Sequence, residues 1–468
     1  MKSRILKHLL TIFLISIFTT SCEDFVEVDA PNNRLIQEQV FSSEETAISA
    51  MQGIYNELFV AAFSNGYTSS ITLLSGLSSD NIQNITSGNV NRMEFEQNEI
   101  TPDNQNNLEI WASAYNTIYN TNSFLQGLSG SENISSELKT QLEGEALFVR
   151  AFTYFYLVNL YGNVPLILTT DYKENQLASR TPTVEVYDQI IADLLRAEEV
   201  LNSEYRDGER TNINQYTADA LLARVYLFVE DWEMAENYSS QVIGSTSTYE
   251  LLEDPNEVFL ANSREAIWQI SPLGDGQIVT NTKDGNLFII DPIFSFFAIA
   301  RLPMDLLNSF EENDKRLINW ISYNEGRDAF FPFKYKIRNT NEVPPKEYSM
   351  VLRLAEQYLV RAEARVHQGN LQGGIEDINV IRKRAGLELL DQTDPEINEE
   401  NLLDEILKEK RKELFAEWGH RWLDLKRTGR AEAVLGSNNP LWENTDVLYP
   451  IPEAERMRNP NLSQNPGY

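Results

Sequence analysis

Few residues in this chain could do covalent or acid–base chemistry. Beyond a short N-terminal leader, the 468 residues include one cysteine, Cys22, and two histidines, His367 and His420. With no second thiol, Cys22 can form neither an internal disulfide nor a Cys-based metal site or redox pair. His367 falls in a predicted helix–turn–helix joint and His420 in the run EWGHR. No nucleophile motif flanks either, so neither fits a Ser-His-Asp or Cys-His arrangement, and both read as structural. Two carboxylates can hydrolyse a glycoside, but most of the 70 acidic residues must be solvated surface charges. Catalysis is therefore not expected. SSDNIQN (78–84) and EENDKR (311–316) offer oxygen ligands of the kind calcium takes. Neither has the spacing of a defined loop, so no metal or cofactor is assigned; a structural calcium ion stands only as an alternative.

Charge narrows the partners. Thirty-nine basic against 70 acidic residues give a formal charge of −31, a surface that repels phosphate backbones, so nucleic acid is not expected. It also mildly disfavours polyanionic ligands, unless a local basic pocket overrides it. The dense run Glu409, Arg411, Glu413, Glu417, Arg421 and Asp424 reads as i,i+4 pairs, such as Glu413–Glu417–Arg421, on a helix that also buries Trp418 and Trp422.

Lys2, Arg4, Lys7 and His8 precede the apolar run LLTIFLISIF and then Cys22, the order of a secretory signal. The run is well short of the roughly 20 residues a membrane-spanning helix needs. The leader resembles a bacterial lipoprotein signal, in which Cys22 becomes the first mature residue and carries acyl groups. It departs at Thr19, where the usual lipobox prefers Leu; ordinary signal-peptidase cleavage is the alternative. The expected division is a signal peptide at 1–21 and a single domain at 22–468, with no second run of membrane length and a body tethered by lipid.

The elements that must position any site are mostly helical. Helical spacing covers Ser43–Phe63, with Ala47, Ala50, Met51, Ile54 and Leu58 on one face. Residues 64–105 read as long loops. Helical patterns return in IWASAYNTIYNTNSFLQGL and LKTQLEGEALFVRAFTYFYLVNLYG, with Pro165 marking the exit. Thr183–Leu201 and Tyr216–Val242 follow, and Leu402–Lys426 reads as one last helix. Ala223, Trp232 and Ala235 recur at the same offsets as Ala362, Leu371 and Gly374. Small residues let two antiparallel helices approach and the bulky one opens the second helix, a pattern similar to the tetratricopeptide repeat. The insertion between the copies, about 245–348, contains the strand-like EAIWQI, the turn signals GDGQ and KDGN, and many aromatic residues, including Phe294, Phe296, Phe297 and Trp320.

Together these stretches resemble the SusD/RagB family of Bacteroidetes outer-membrane lipoproteins. RAFTYFYLVNLYGNVPLI is similar to the family's Arg-Ala-aromatic helix, and VLRLAEQYLVRAEARV to its Arg-Leu-Ala-Glu helix. EKRKELFAEWGHRWLDLKR and the closing YPIP…NPNLSQNPGY are similar to its C-terminal signatures. The resemblance implies a mainly α fold of four tetratricopeptide-like helix pairs with a loop-rich, partly β insertion. It implies lipid attachment at Cys22, export to the outer face of the outer membrane, with Glu23 and Asp24 as the export signal, and capture of an extracellular oligosaccharide or polysaccharide. The implied partner is a SusC-like TonB-dependent transporter. Peptide capture and a lipid-anchored protein scaffold are the alternatives.

A sugar site asks for flat rings against the pyranose C–H face and planar polar side chains for the hydroxyls, all exposed on loops. Tyr67, Asp80, Asn81 and Arg92 are the candidates in 64–105, and Trp320, Tyr323, Arg327 and Phe331 those in the insertion. Trp268, Trp111 and Trp232 read as packing residues.

Overall fold

The computed structural model describes residues 37–65, 67–86, 88–272, 281–437 and 439–468. The leader, Cys22, Glu23, Asp24 and the GDGQ signal lie outside the described residues. Helices of eight or more residues, numbered in chain order, are α1 Glu44–Val60, α2 Ile71–Ser78, α3 Val90–Gln97, α4 Gln105–Gly130 and α5 Ser136–Tyr161. They continue with α6 Thr183–Val200, α7 Gln215–Phe228, α8 Trp232–Gly244, α9 Leu354–His367, α10 Leu371–Ala385, α11 Glu399–Glu413 and α12 His420–Arg427. Among the described residues six short strands, β1 Gln83–Asn84, β2 Ala266–Ile270, β3 Ala300–Arg301, β4 Ile321–Asn324, β5 Ala329–Pro332 and β6 Ser349–Arg353, form three antiparallel pairs: β1–β3, β2–β6 and β4–β5.

The centre of the molecule is α5. Its C-terminal two-thirds is buried on every side, as expected of a helix that is apolar all round. Arg150 in this helix donates from Nε and Nη2 to the Asp193 carboxylate of α6, both at 2.7 Å, and from Nη1 to Asn122 of α4 at 2.9 Å. One guanidinium thus ties three helices together. Trp268 of β2 packs edge-on against Phe148 and Phe152 of α5 and is buried, as is Trp111.

The repeat spacing is realised as helical hairpins. Trp232 and Leu371 are the first residues of α8 and α10, and Ala223, Ala235, Ala362 and Gly374 are buried. A Cβ on Gly374 would stand 2.5 Å from Val366 Cγ2 and 3.1 Å from the Ala362 carbonyl, so only glycine admits this approach. The two hairpins are neighbours in space: Arg365 of α9 reaches Glu236 of α8 at 2.8 Å. The insertion between them includes β2, which pairs with β6, the strand leading into α9; both are buried throughout.

Several local expectations are corrected. Residues 64–105 are not simply loops, since α2 and α3 lie there. Both are short, and every residue of α2 is buried, so no amphipathic period betrays it. Ser70 and Asn89 cap them by accepting from the backbone N–H of Leu73 and Arg92. KDGN opens a short helix, Lys283–Phe288, rather than a turn.

The helix expected over 402–426 breaks between α11 and α12. Ala416, Trp418 and Gly419 there have φ of 52°, 45° and 71°. A Cβ on Gly419 would sit 2.7 Å from Ser75 Cβ, and Trp418 donates from Nε1 to the Met350 carbonyl at 2.6 Å. The break seats the tryptophan in the core.

Nor is the adjacent charge run a row of surface pairs. Glu409, Glu413 and Glu417 are buried with Glu265 and Asp314, and face Arg316, Lys334, Arg353 and Arg384. Arg421 pairs with Asp80 instead of Glu417. His420, held neutral by burial, is pushed down to about 3; His367 stacks on Trp232 at 4.0 Å.

Candidate functional site

The two loop regions chosen for their side chains meet at one face. Gln83 pairs with Arg301 and Asn84 with Ala300 across β1–β3, and Ile85 N–H donates to the Ile299 carbonyl at 2.9 Å. Leu302 N–H then donates to the Phe330 carbonyl at 2.8 Å, which attaches the β4–β5 hairpin. Beneath this join lies a small apolar cluster of Ile290, Ala329 and Phe331, with Ile85, Ile289, Ala298 and Phe333 packed against it.

Above the cluster runs the segment 291–298, DPIFSFFA. The Asp291 carboxylate accepts from the N–H groups of Ile293 and Phe294 at 2.8 and 2.9 Å. Those bonds hold its carboxyl below the ordinary value. Arg327, in the β4–β5 turn, donates from Nε to the Ser295 carbonyl at 2.6 Å, which ties the segment to the hairpin while the Asp291 bonds close its first turn. The result is an exposed apolar group: Ile293 is 79%, Phe294 50%, Phe296 58% and Phe297 65% exposed. The ring centroids of Phe296 and Phe297 are 4.4 Å apart, and those of Phe294 and Phe296 are 6.1 Å apart. Leaving three neighbouring phenylalanines half to two-thirds exposed forgoes part of the roughly 1.5–3 kcal/mol that full burial of each would give, and such patches mark interaction sites.

Of the residues expected at the site, Tyr323 is exposed in the hairpin, packs on Phe330 and donates to Asp328 at 2.7 Å. The hydrogen bond to Asp328 raises its hydroxyl pKa above the ordinary value. Tyr67 is 38% exposed, with a left-handed backbone at φ 61°. Arg327 is half-buried beside the phenylalanines.

The other five are not free on loops. Trp320 is fully buried, donates from Nε1 to the Pro255 carbonyl at 2.9 Å, and has Lys334, Arg353 and Arg384 over its ring. Phe331 is buried in the cluster beneath the face. Asp80 is held by Arg421 at 2.7 Å and Arg411 at 2.9 Å. Burial would raise its carboxyl, but Arg421 and then Arg411 keep it below the ordinary value. Asn81 is buried and accepts from Arg411 Nε at 3.0 Å. Arg92 is buried in α3 beside Thr86.

The residues that sequence reasoning passed over as site candidates are Phe294, Phe296 and Phe297. Their one signal is three phenylalanines in four residues, with neither a helical nor a strand period. In SSDNIQN and EENDKR three carboxylates are engaged by cations, Asp80 with Arg421, Asp314 with Arg316 and Glu311 with Arg382. Among the described residues no group of three or more His, Cys, Asp or Glu could hold a metal ion.

A cavity of about 510 Å³ opens beside β1, lined by Asp80, Gln83, Glu96, Asn98, Met304 and Asp305 among others. Another, of about 570 Å³, lies away from the face between Ser135 and Arg206. Its one aromatic residue, Tyr205, is tied through its hydroxyl to Tyr249 and the Ile267 carbonyl. Neither presents exposed rings as 291–298 does.

Comparison with known proteins agrees with this architecture. Residues 24–227 match a family model described as starch-binding associating with outer membrane, and residues 330–468 match the model of the SusD family. SusD-like protein P2 of Formosa agariphila is 27% identical over 99% of this chain and 100% of its own length. Starch-binding protein SusD of Bacteroides thetaiotaomicron is 26% identical over 73% of this chain and 75% of its own. A SusD superfamily structure from Bacteroides vulgatus superimposes with a TM-score of 0.80 at 22% identity, covering 92% of this chain and all of that one. A laminarin binding SusD-like protein superimposes with a TM-score of 0.75 at 24% identity, covering 92% and 100%. With residues 24–227 and 330–468 each matched by a SusD-type family model and the helical body shared, the chain belongs to the SusD family.

Proposed function

We propose that this protein binds an extracellular glycan, unaltered, on the face built by 291–298 and the β4–β5 hairpin. The observation that carries this reading is the pinned trio of exposed phenylalanine rings, with Tyr323 and Arg327 beside it. Rings of this kind cover the apolar face of a sugar, and a guanidinium bonds its oxygens. The relatives named for starch binding and laminarin binding support the ligand class. We further propose that the chain is anchored in the outer membrane through a lipid on Cys22 and passes its ligand to a SusC-like TonB-dependent transporter. The protein acts as a binder and not as an enzyme.

Calorimetry or affinity electrophoresis against a polysaccharide panel tests the reading. Phe296→Ala should weaken binding by about 1–3 kcal/mol, as for bases stacked on aromatic side chains. The ring is exposed, so the fold should be unaffected. Binding of peptides and of no glycan would replace this reading with peptide capture. Release of reducing sugar would make the protein a glycosidase.

A further inference from the structure

The acid surplus has a visible consequence inside the protein: most buried guanidinium groups meet carboxylates, and Arg210, which does not, donates instead to the Ala266 and Thr248 carbonyls. Arg224 meets Glu356 at 2.6 Å, Arg316 meets Asp314 at 2.7 Å, and Arg150 meets Asp193 at 2.7 Å. This is the usual condition for burying a cation.

Arg92 departs from it. The residue is about nine-tenths buried, yet no carboxylate pairs with it among the described residues. Its side chain makes one long contact, Nη2 to Thr86 Oγ1 at 3.5 Å, and its Nε is buried without an acceptor. The partner that helix spacing would supply is Glu96, four residues on. That carboxylate instead accepts from the Asn84 backbone N–H at 3.0 Å and its side-chain amide at 2.9 Å. Burial pulls the Arg92 guanidinium below its ordinary value, and the nearby Tyr67 hydroxyl opposes this.

Two further guanidinium groups at the same face also lack carboxylates. Arg301, exposed on β3 opposite Gln83, makes no side-chain hydrogen bond or ion pair among the described residues. Arg327 spends only its Nε, on the Ser295 carbonyl. Of the acids here, Asp291 and Asp328 are occupied by backbone N–H groups and by Tyr323, and Glu325 stands in the turn beside Arg327.

We infer that the glycan bound at this face is anionic, carrying carboxylate or sulfate ester groups, and that Arg92 seats one of them between Tyr67 and Thr86 while Arg301 and Arg327 meet others along the chain. The inference rests on the glycan-binding reading above. A guanidinium presents paired N–H donors that match the two oxygens of either anion, which a neutral sugar does not need.

The purified full-length chain should be titrated with alginate and polygalacturonate as carboxylated probes, ι-carrageenan as a sulfated probe, and laminarin and dextran as neutral ones. At least one charged polymer should bind more tightly than both neutral ones. Its affinity should fall with added NaCl, and Arg92→Gln should lower it at least tenfold. The carboxylated and sulfated arms identify which anion is read. Because Arg92 is buried, Arg327→Gln at the solvent-facing turn is the second variant, expected to weaken the charged polymer several-fold. Carboxyl-reduced alginate and desulfated carrageenan change the ligand instead of the protein, and should bind poorly. Equal binding of a polymer and its uncharged derivative, or binding of neutral polymers alone, would overturn the inference and leave the glycan-binding reading intact. Binding of no glycan would overturn both.

Discussion

Arg353→Met should cost this protein about 3–5 kcal/mol of stability. The Arg353 guanidinium has five N–H donors, and five contacts account for them. Nε donates to Glu417 at 2.8 Å, Nη1 to Glu265 at 3.1 Å and Glu413 at 2.6 Å, and Nη2 to Glu417 at 2.9 Å and the Glu413 carbonyl at 2.7 Å. Methionine fills much of the same volume but donates nothing, so three buried carboxylates lose a cation together. Breaking a buried pair by removing one partner costs about 3–5 kcal/mol, chiefly from the charge left behind.

Arg384 still reaches Glu265 and Glu413, and Lys334 still reaches Glu417, which keeps the expected loss from exceeding that range. Urea unfolding followed by tryptophan fluorescence is the assay. Trp320 is a suitable reporter, since the Arg353 guanidinium carbon lies 5.7 Å from its ring. Adding Glu417→Gln should recover part of the loss, because it removes one of the stranded charges. A single-variant loss below about 1 kcal/mol, or simple additivity in the double variant, would refute the reasoning.

Trp320→Ala should lower stability by about 3–5 kcal/mol, the range for a fully buried large aromatic, and leave the glycan affinity of the folded fraction unchanged; weakened binding in calorimetry would return Trp320 to the site. Asp219 is buried, neither carboxylate oxygen has a hydrogen-bond partner, and burial pushes its pKa up to about 8. Between about pH 4 and pH 8 the folded state therefore holds a proton that the unfolded state has lost, so this group makes stability fall as pH rises. Asp219→Asn should flatten that decline, read as urea midpoints at pH 5 and pH 8, and an unchanged slope would count against it. Cys22→Ala should move the protein from the membrane fraction to the soluble one; continued partition with membranes would count against the anchor.

Much of the helical body was legible because its signals are local. The Ala223–Trp232–Ala235 and Ala362–Leu371–Gly374 spacings mark hairpins within a few residues of their observed joints. EAIWQI gives β2 almost to the residue. The kink at Ala416–Gly419 was not legible, because it depends on Thr72, Ser75 and Met350, which are distant in sequence.

The same distance hid the charge network. Glu413 is near Arg411 and Lys412 in sequence, but its partners Arg316, Arg353 and Arg384 come from three other elements. For the site, residue type was a weaker guide than accessibility. Trp320 and Phe296 look alike as aromatic residues in one insertion, yet one ends a helix turned into the core and the other sits on a turn facing water.

The closed turn of 291–298 and its tie to the hairpin bear on how fast and how selectively a ligand would be held. With the first turn closed by Asp291 and the Ser295 carbonyl held by Arg327, the rings need little further ordering when a partner arrives. Immobilising a flexible side chain on association costs roughly 0.5–1.5 kcal/mol, and a preorganised platform is spared much of that. Such a platform cannot remould itself around an ill-matched chain. It should therefore discriminate among polymers by the spacing of their repeats, with mismatched ones leaving quickly instead of binding in a second pose.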